Sequence, residues 1–493
     1  SGLRLTIFNG RVPGVGGYFA SSDLLPTDVN PFSNERPMLY INTDVLRAGT
    51  VAYDSVLAHE LQHLIHFLVH PQQDAWLNEG ASEVAMAVAG FLPRGAANAF
   101  VRRPATQLDS WASRPSAALP HYGGAYLFLT YLAERLGRFD EMRDLIASEG
   151  IGTALLDTFL GQRGDQLTFT SLFQDWVVAN VVNDKGPGGD GRYGYDHWGG
   201  RIEPTVVWHT YPRQLMTRAT QHAAQYIELH PPEEGPGILD VTFRGENTAR
   251  LVGTDAHLGS GMWWSQPADN SESTLTRIVD LSDVSRARLE FDTWFDLELG
   301  YDYAFVGVST DDGCTWVTVP GKQTTTYDPV GHNLGHGYTG RSGGGQEPRW
   351  VEEAVDLTSY AGREVLLRFH SITDQAYHGP GILLDNIRIT EIGFDDDAET
   401  ARDDWSAAGF VRSTNVVPQQ WSVQAVLLSA EGISVMPVPL ATTAAGISGT
   451  LDISTDQIER LILVIAPMTS TQGQPALATI EAVFTPEPLI AFP

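Results

Sequence analysis

The chain has 493 residues, of which 42% are hydrophobic, and its formal net charge at pH 7 is −29. This length exceeds what one hydrophobic core supports, so we expect several globular domains. No basic cluster is present to neutralise phosphates, which excludes nucleic acid as a partner. No apolar run approaches the length of a membrane span. A single cysteine, Cys314, excludes an internal disulfide.

The acidic charge is unevenly distributed along the chain. Acidic side chains outnumber basic ones by seven in residues 1–200 and by 22 in residues 201–493. Such a surface suits a solvated, calcium-rich extracellular setting. The sequence opens on Ser1-Gly2-Leu3-Arg4 and a strand-like segment instead of a signal peptide. We therefore expect a secreted protein in its mature form, after removal of a signal and a pro-segment.

The run Val51–Val69 is predicted to be a helix, because it has helical length and apolar spacing and ends before Pro71. Within it, His59 and His63 are four residues apart and share one face, where both imidazoles can bind one metal ion. Glu60 lies beside that metal without being obliged to bind it. This is the position of a general base for a zinc-bound water.

A third ligand is available in the segment Trp76–Glu83. Two histidines and a distant carboxylate form a known catalytic zinc set, which leaves the fourth position open to water and substrate. Glu79 is the preferred third ligand. His66 and His70 lie on nearly the same helix face as the first two histidines and are rival ligands. The metzincin pattern requires a glycine where this chain has His66 and a third histidine where it has Val69. The chain meets neither requirement.

The motif His-Glu-x-x-His followed by Trp-Leu-Asn-Glu-Gly-x-x-Glu resembles the gluzincin clan of zinc metallopeptidases, which includes thermolysin and the Leu-Asn-Glu-Gly aminopeptidases. The spacing, the stretch Gly16-Gly17-Tyr18-Phe19 and the later Phe173-Gln174-Asp175-Trp176 are most similar to hyicolysin-type peptidases. This resemblance implies a thermolysin-like catalytic domain over residues 1–204, in which Glu79 binds zinc.

The same resemblance implies further roles. Glu83, at the end of the motif, is expected to steady one of the ligand imidazoles from behind. In gluzincins an edge strand ahead of the zinc helix pairs with the extended substrate. Met38, Leu39 and Tyr40 are therefore predicted to bind a peptide by β-augmentation, with an ordinary interior strand as the alternative. Asn78 is also predicted to contact substrate.

Residues 124–184 have the apolar period of helices. Just ahead of them, His121-Tyr122-Gly123-Gly124-Ala125 resembles the aminopeptidase segment that supplies a tyrosine to the oxyanion. Alignment on Gly124-Ala125 gives that position to His121, whereas Tyr122 has the matching chemistry. We prefer Tyr122 as the group that stabilises the tetrahedral intermediate and keep His121 as the alternative.

Beyond a Gly- and Asp-rich loop, the spacing of apolar residues becomes that of β-strands. Residues 262–393 resemble the MAM-like jelly roll of immune inhibitor A peptidases, through Tyr301-Asp302-Tyr303 and Ser309-Thr310-Asp311-Asp312-Gly313. The segments 205–261 and 394–493 are also strand-rich, and we expect them to pair into one split β-sandwich. The predicted fold class is multidomain α+β, a thermolysin-like (gluzincin) catalytic domain followed by β-sandwich and jelly-roll domains.

Carboxylates near turns in the jelly roll predict a calcium site, because calcium prefers hard oxygen ligands. Asp269 and Glu272, before the first long strand, and Asp385, in the last one, form the preferred trio. Asp302 is a further candidate ligand.

Together these residues predict a secreted zinc metalloendopeptidase that uses Zn²⁺, with Ca²⁺ as a second ion, to hydrolyse peptide bonds in proteins. A zinc aminopeptidase is the nearest alternative, but the sequence lacks the Gly-x-Met-Glu-Asn segment that grips the substrate amine in those relatives. The other alternative is a surface adhesin in which the peptidase is a scaffold. In that case Trp263, Trp264 and the β modules would contact a glycan or cell surface.

Overall fold

The computed structural model describes residues 4–164, 166–375, 377–400 and 404–487. Of the opening residues discussed above, Ser1, Gly2 and Leu3 lie outside the described residues. The chain divides into two compact units. The first contains the described residues up to Tyr53, Pro71–Ala75 and Val252–Asn415, and the second contains Asp54–His70, Trp76–Leu251 and the described residues from Val416 onwards. The sequence-based domain 1–204 is therefore divided between both units.

A three-stranded sheet opens the first unit, with strands β1 (Thr6–Gly10), β2 (Gly17–Phe19) and β3 (Met38–Asn42). The last strand lies in the middle, parallel to β1 and antiparallel to β2. The edge-strand prediction for Met38, Leu39 and Tyr40 is therefore wrong, because both sides of the strand already carry a hydrogen-bonded neighbour. The hydroxyl of Tyr40 donates to Asp23 Oδ2 at 2.5 Å.

Seven α-helices follow within the described residues: α1 (Val51–Val69), α2 (Ala75–Val88), α3 (Arg94–Val101), α4 (Leu119–Arg135), α5 (Glu141–Ile146), α6 (Gly152–Gln162) and α7 (Phe169–Val182). The central helix, α4, is buried along most of its length, and Phe128 on it packs against Trp76 and Trp176. None of the helices in the described part of the chain combines the length and apolar character needed to cross a lipid bilayer.

Five strands come next in the second unit: β4 (Val206–Trp208), β5 (Arg213–Ala219), β6 (Gln225–Leu229), β7 (Gly237–Gly245) and β8 (Thr248–Arg250). Alternation of buried and exposed side chains is clearest in β7, as expected for a strand with one face on a core. Both β6 and β7 are interior strands of sheets whose other members include strands from the end of the chain.

The jelly-roll region of the first unit contains β9 (Met262–Trp264), β10 (Glu272–Asp280), β11 (Arg288–Asp296), β12 (Tyr303–Ser309), β13 (Val317–Thr318), β14 (Gly337–Tyr338), β15 (Val351–Asp356), β16 (Glu364–Ile372), β17 (Gly381–Ile389), β18 (Phe394–Asp396), β19 (Ser406–Ala408) and β20 (Val411–Ser413). One sheet has the order β13-β12-β16-β10-β19, with β14 on β12. The other has the order β15-β11-β17-β9-β20, with β18 on β17. Both sheets contribute to one apolar core, which includes Leu275, Phe291, Val306 and Leu384.

The two adjacent tryptophans of β9 belong to this core region. Trp263 and Trp264 are only 8% and 7% exposed. Their indole N–H groups donate to Asp396 Oδ2 and to the carbonyl of Pro380. These side chains therefore form no exposed platform for a sugar, because β9 is an interior strand between β17 and β20.

The chain then returns to the second unit with β21 (Val416–Pro418), β22 (Trp421–Ser429), β23 (Gly432–Pro437), β24 (Ala441–Thr443), β25 (Gly446–Ser454), β26 (Arg460–Pro467) and β27 (Ala476–Pro486). Two five-stranded sheets, β23-β22-β26-β6-β4 and β24-β25-β7-β27-β5, mix these strands with those that precede the jelly roll. The residues up to Asn415 belong to the jelly-roll unit instead, so the sequence-based boundary at 394 lies too early.

The helices and one of these sheets share a single hydrophobic core within the second unit. Tyr226, Ile462 and Val464 belong to the same buried cluster as Trp176. The hydroxyl of Tyr226 also donates to the carbonyl of Val177 at 2.8 Å. The sheet thus covers one side of the helical core, and the helices do not form a separate domain.

Candidate metal centre

Helices α1 and α2 bring the three predicted ligands together in the second unit. His59 Nε2 lies 3.0 Å and His63 Nε2 3.3 Å from the same oxygen, Oε2 of Glu79. The two imidazole rings are 4.8 Å apart and nearly perpendicular. Such a convergence follows from the spacing of four residues on α1, which places both rings on one helix face. Among the described residues, this is one of two groups whose metal-binding atoms lie within 4.8 Å of one another.

The second nitrogen of each imidazole is held from behind. Glu83 Oε1 lies 3.5 Å from His59 Nδ1. Asn78 Oδ1 lies 3.1 Å and Ser82 Oγ 3.2 Å from His63 Nδ1. Acceptors beside both Nδ1 atoms favour a hydrogen on each of those nitrogens, the arrangement in which both Nε2 atoms could bind a metal ion. Asn78 therefore contacts a ligand imidazole, a contact that the substrate-binding prediction for this residue did not anticipate.

The charges at the centre stabilise one another. Burial alone would raise the pKa of Glu79, but the imidazoles of His63 and His59 lower it well below its ordinary value. Burial likewise opposes protonation of His59, yet the hydrogen bonds that its ring donates to Glu79 and Glu83 raise its pKa well above 6.5. The carboxylate and the imidazoles therefore each favour the charged form of the other.

Glu60 is buried next to these ligands, with 6% of its surface exposed. Its charge contributes to the raised pKa values of both His59 and His63. The residue following a ligand on a helix points away from the ligand face by about 100°. Glu60 therefore lies near both imidazoles without belonging to the convergent group.

Two glycines allow the helices around the centre to approach closely. A Cβ atom on Gly80 of α2 would lie 2.9 Å from the Cβ of Ala125 on α4. A Cβ atom on Gly123 of α4 would lie 2.0 Å from the carbonyl oxygen of Ala96 on α3. Larger residues at either position would push α4 away, and α4 carries the candidate oxyanion groups.

The two candidate oxyanion groups have different surroundings. The ring of Tyr122 lies 5.9 Å from that of His59, and burial together with the carboxylates of Glu79 and Glu60 raises its pKa well above 10. His121 instead directs Nδ1 to the carbonyl of Ser110 at 2.9 Å, and burial lowers its pKa. Tyr122 is thus a neutral hydroxyl beside the centre, whereas His121 is engaged elsewhere.

The rival histidines are not part of the convergent set. Among the described residues, the group that contains His59 and His63 includes neither His66 nor His70. His66 is buried, and its burial lowers its pKa to about 4, so it is neutral in the core of the unit.

The donor set fits zinc. Two imidazole nitrogens and one carboxylate oxygen are ligands of catalytic zinc sites, which use three protein ligands and keep one position open. The supporting residues were only partly visible in the sequence. Ser82 donates to Gln62 Oε1 at 2.9 Å as well as contacting His63. Its position four residues after Asn78, on the same face of α2, was the available signal.

A second cluster, which we call the acidic cluster, lies in the first unit and consists of Glu298, Asp302 and Asp374. Asp302 is fully buried and accepts a hydrogen bond from the backbone N–H of Asp374 at 3.0 Å. Burial and the neighbouring carboxylates raise the pKa values of Glu298 and Asp302 to about 7 and that of Asp374 to about 9. Of these three, the sequence singled out only Asp302 as a candidate calcium ligand.

The predicted calcium trio is not assembled. Glu272 contacts His370 at 2.8 Å and its side chain is largely exposed. Asp385 lies in the middle of β17, in the opposite sheet from the strand that begins at Glu272, and accepts from the N–H of Leu258. Asp269 is occupied by other contacts, with His378 and with Ala75. The trio fails because Asp385 is in the interior of its strand and not at the strand end that the prediction required.

Comparisons with known proteins match the jelly-roll region. Residues 233–415 match the family model described as Immune inhibitor A-like, MAM domain. Immune inhibitor A of Bacillus thuringiensis subsp. alesti is 30% identical over 168 residues, covering 33% of this chain and 22% of that protein. Pre-pro-metalloprotease PrtV of Vibrio cholerae serotype O1 (strain M66-2) is 29% identical over 154 residues, covering 31% of this chain and 15% of that protein.

The match spans less than a quarter of the length of these curated relatives. Among solved structures, a chain from infectious bursal disease virus Gt strain aligns over 56% of this chain and 68% of its own length, with 9% sequence identity. The TM-score of that alignment is 0.13. The resemblance to the MAM-like jelly roll is confirmed, over a wider range than residues 262–393. The chain thus contains a module that is similar to one in metalloproteases, and the match lies outside the helices that carry the metal centre.

Proposed function

We propose that this chain is a secreted zinc-dependent endopeptidase that hydrolyses peptide bonds in proteins. The observation that carries the proposal is the convergence of His59 Nε2, His63 Nε2 and Glu79 Oε2, with each Nδ1 atom held from behind. An acid–base pair without a metal would not need two imidazoles directed at one carboxylate oxygen. This arrangement supports a zinc ligand set.

Glu60 is the general base in this proposal. Zinc bound by His59, His63 and Glu79 would supply Lewis acidity for the scissile carbonyl and lower the pKa of the hydrolytic water. Glu60 takes the proton from that water and delivers it to the leaving amine. Its burial beside the ligands supports this role, because a carboxylate shielded from solvent exchanges protons with the substrate and not with bulk water.

Tyr122 is the oxyanion donor in this proposal. Its raised pKa keeps the hydroxyl protonated across the physiological range, so it can donate a hydrogen bond to the developing negative charge. The contact of His121 with the Ser110 carbonyl supports a structural role for that residue. His121 remains the alternative donor.

The endopeptidase assignment is favoured over an aminopeptidase because the sequence lacks the amine-gripping Gly-x-Met-Glu-Asn segment. The burial of Trp263 and Trp264 removes the specific support for a glycan-binding adhesin. Secretion is supported by the acidic surface and by the similarity to a relative named as a pre-pro-metalloprotease. A signal and a pro-segment are therefore part of the proposal.

We also propose that calcium binds the acidic cluster and stabilises the jelly-roll unit. The three carboxylates offer only oxygen ligands, which calcium prefers. Asp374 Oδ1 is a buried oxygen without a hydrogen-bond partner among the described residues. A cation there would neutralise charges that otherwise repel one another.

The proposed function is tested by digestion of casein with and without a zinc chelator, with the fragments identified by mass spectrometry. Internal cuts that disappear with chelator, and return with zinc, support the endopeptidase. Trimming from the N-terminus indicates the aminopeptidase, and no cleavage favours the adhesin. The matched variants are Glu60→Gln, which should lose cleavage, and Asp54→Asn, an exposed carboxylate of the same helix, which should keep it.

A further inference from the structure

The segment that joins α1 to α2 is held at both ends by hydrogen bonds to two adjacent residues, Asp269 and Asn270. We call this segment, Pro71–Ala75, the helix connector. Asp269 Oδ2 accepts a hydrogen bond from the backbone N–H of Ala75 at 2.6 Å, across 194 residues of sequence. Asn270 Nδ2 donates to the carbonyl of Pro71 at 2.5 Å. All of these residues belong to the first unit.

The contact at Ala75 satisfies a specific need of α2. Ala75 is the first residue of that helix and is 4% exposed. The N–H groups of the first helical turn have no partner within the helix, and a buried one must find a partner elsewhere. A carboxylate is well suited, because negative charge is favourable at a helix N-terminus. Asp269 thus acts as an N-terminal cap supplied from a distant part of the chain.

Asp269 is itself rigidly placed. It is 1% exposed, and its other oxygen, Oδ1, lies 2.6 Å from Nδ1 of the buried His378. Burial would lower the pKa of His378, but the charge of Asp269 raises it to about 9, so the pair is an ion pair at neutral pH. Asp74, within the helix connector, adds to the same effect on His378. Both carboxylate oxygens of Asp269 therefore have a defined partner.

The cap is one helical turn away from the third zinc ligand. In an α-helix the carbonyl of residue i accepts from the N–H of residue i+4, so the carbonyl of Ala75 pairs with the N–H of Glu79. We propose that Asp269 is a positioning residue for Glu79, which fixes the first turn of α2 by capping Ala75. This inference rests on the proposed zinc peptidase function.

The consequence concerns metal affinity and not the chemical step. Without the cap, the first turn of α2 frays in part of the population, and only the fraction with Glu79 in place binds zinc tightly. The apparent dissociation constant rises in proportion to that loss of competent protein. Once zinc is bound, the turn is ordered again, so turnover by the fully loaded enzyme should be preserved.

The experiment measures zinc release from the full chain to a chromophoric chelator. Asp269→Ala should release zinc about tenfold faster than the wild type, in keeping with the loss of a buried helix cap. In excess zinc its kcat should return to within about twofold of the wild-type value. Asp269→Asn, which retains an oxygen for the Ala75 N–H, should restore most of the slow release.

Asp396→Asn is the matched control. Asp396 is also a buried carboxylate of the first unit and accepts from the indoles of Trp263 and Trp405, but it makes no described contact with the helix connector. Its loss should lower the melting temperature without changing zinc release. Equal acceleration of release in Asp396→Asn and Asp269→Ala would overturn the inference, because the effect would then be general loosening.

Two further outcomes separate the inference from the function on which it rests. A wild-type chain that binds no zinc defeats the proposed function. A wild-type chain that binds zinc, with unchanged release from Asp269→Ala, defeats the positioning role alone. Should Asp269→Ala fail to fold, Asn270→Ala takes its place, because it removes the other hydrogen bond to the helix connector, and about threefold faster release is expected. Unchanged release in Asn270→Ala would then count against the role.

Discussion

The candidate metal centre and the acidic cluster both contain buried carboxylates, but their surroundings shift the pKa values in opposite directions. At the metal centre, the imidazoles of His63 and His59 lower the pKa of Glu79. In the acidic cluster, burial and like charges raise the pKa of Asp374 to about 9. A carboxylate among nitrogen bases carries its own counterion, whereas a carboxylate among other carboxylates does not.

This difference separates two uses of a metal ion. In the proposed function, zinc at the first site would compete with protons for the imidazoles and serve catalysis. In the proposal for the acidic cluster, calcium would offset the repulsion between its carboxylates and so act mainly on stability. The following predictions test the distinction by changing one carboxylate or its neighbours at a time.

The largest effect is expected for Glu79→Ala. Removal of this ligand should eliminate bound zinc and lower peptidase activity by about 10³-fold or more, because metal-assisted catalysis depends on the ion. Zinc content by mass spectrometry and casein cleavage are the measurements. Glu60→Gln should lose about 10²- to 10⁴-fold in activity while keeping zinc. A zinc-replete Glu79→Ala protein would contradict the ligand assignment.

A smaller loss is expected for Tyr122→Phe. If the hydroxyl donates to the oxyanion, kcat should fall by about 10²-fold with little change in KM, since this hydrogen bond strengthens in the transition state. His121→Ala is the comparison, and its activity should stay closer to that of the wild type. A loss confined to His121→Ala would exchange the roles of the two residues.

The acidic cluster should respond to calcium and to pH. Calcium at a hundred times its Kd should add about 2.7 kcal/mol to the free energy of unfolding of this unit. Because the folded-state pKa values are raised, the folded chain binds more protons than the unfolded one between about pH 4 and pH 7 to 9. The free energy of unfolding should therefore fall as pH rises through that window when calcium is absent.

Thermal unfolding of the full chain, with calcium against a calcium-selective chelator, measures both effects. Asp374→Asn should reduce the pH dependence and the gain from calcium together, since it removes one of the repelling charges. An identical melting temperature in calcium and in chelator, across the whole pH range, would show that the acidic cluster does not bind calcium.

The smallest effect is expected for the groups behind the imidazoles. Glu83→Gln and Asn78→Ala should weaken zinc binding by about 10- to 100-fold, as is usual when the partner of a ligand histidine is lost. Competition with a chelator of known affinity gives the values, and Asp54→Asn is the unchanged reference. If Asn78→Ala had normal zinc affinity but a raised KM, the result would instead support the prediction that Asn78 contacts substrate.

The sequence was most informative where function depends on local spacing. Two histidines four apart on a helix, and a carboxylate on the next helix, required no knowledge of the tertiary fold. The turn at Asp312-Gly313 is equally local, because the positive φ values of both residues suit asparagine, aspartate and glycine. Helix α1 has the predicted bounds, whereas the short helix α3 (Arg94–Val101) was missed because it has few strong apolar positions.

Predictions that depended on long-range pairing were less reliable. Strand β3 is central because β1 pairs with it, in parallel, on the side opposite β2. No local sequence pattern reveals that neighbour. The acidic cluster combines Glu298 and Asp302 with Asp374, which follows β16. These residues are brought together by contacts between positions more than 70 residues apart, and a single sequence does not reveal such contacts.

The shared core of the second unit has a consequence for how the protein is made. Helix α7 ends at Val182, whereas β26, which covers the same core, lies at Arg460–Pro467. During synthesis the helical part cannot complete its core until that late strand has left the ribosome, and contacts this distant form slowly. A chain interrupted between α7 and β26 would therefore carry α1 and α2 and still lack part of the core that holds the helices. If the proposed function is right, incomplete products would therefore lack proteolytic activity.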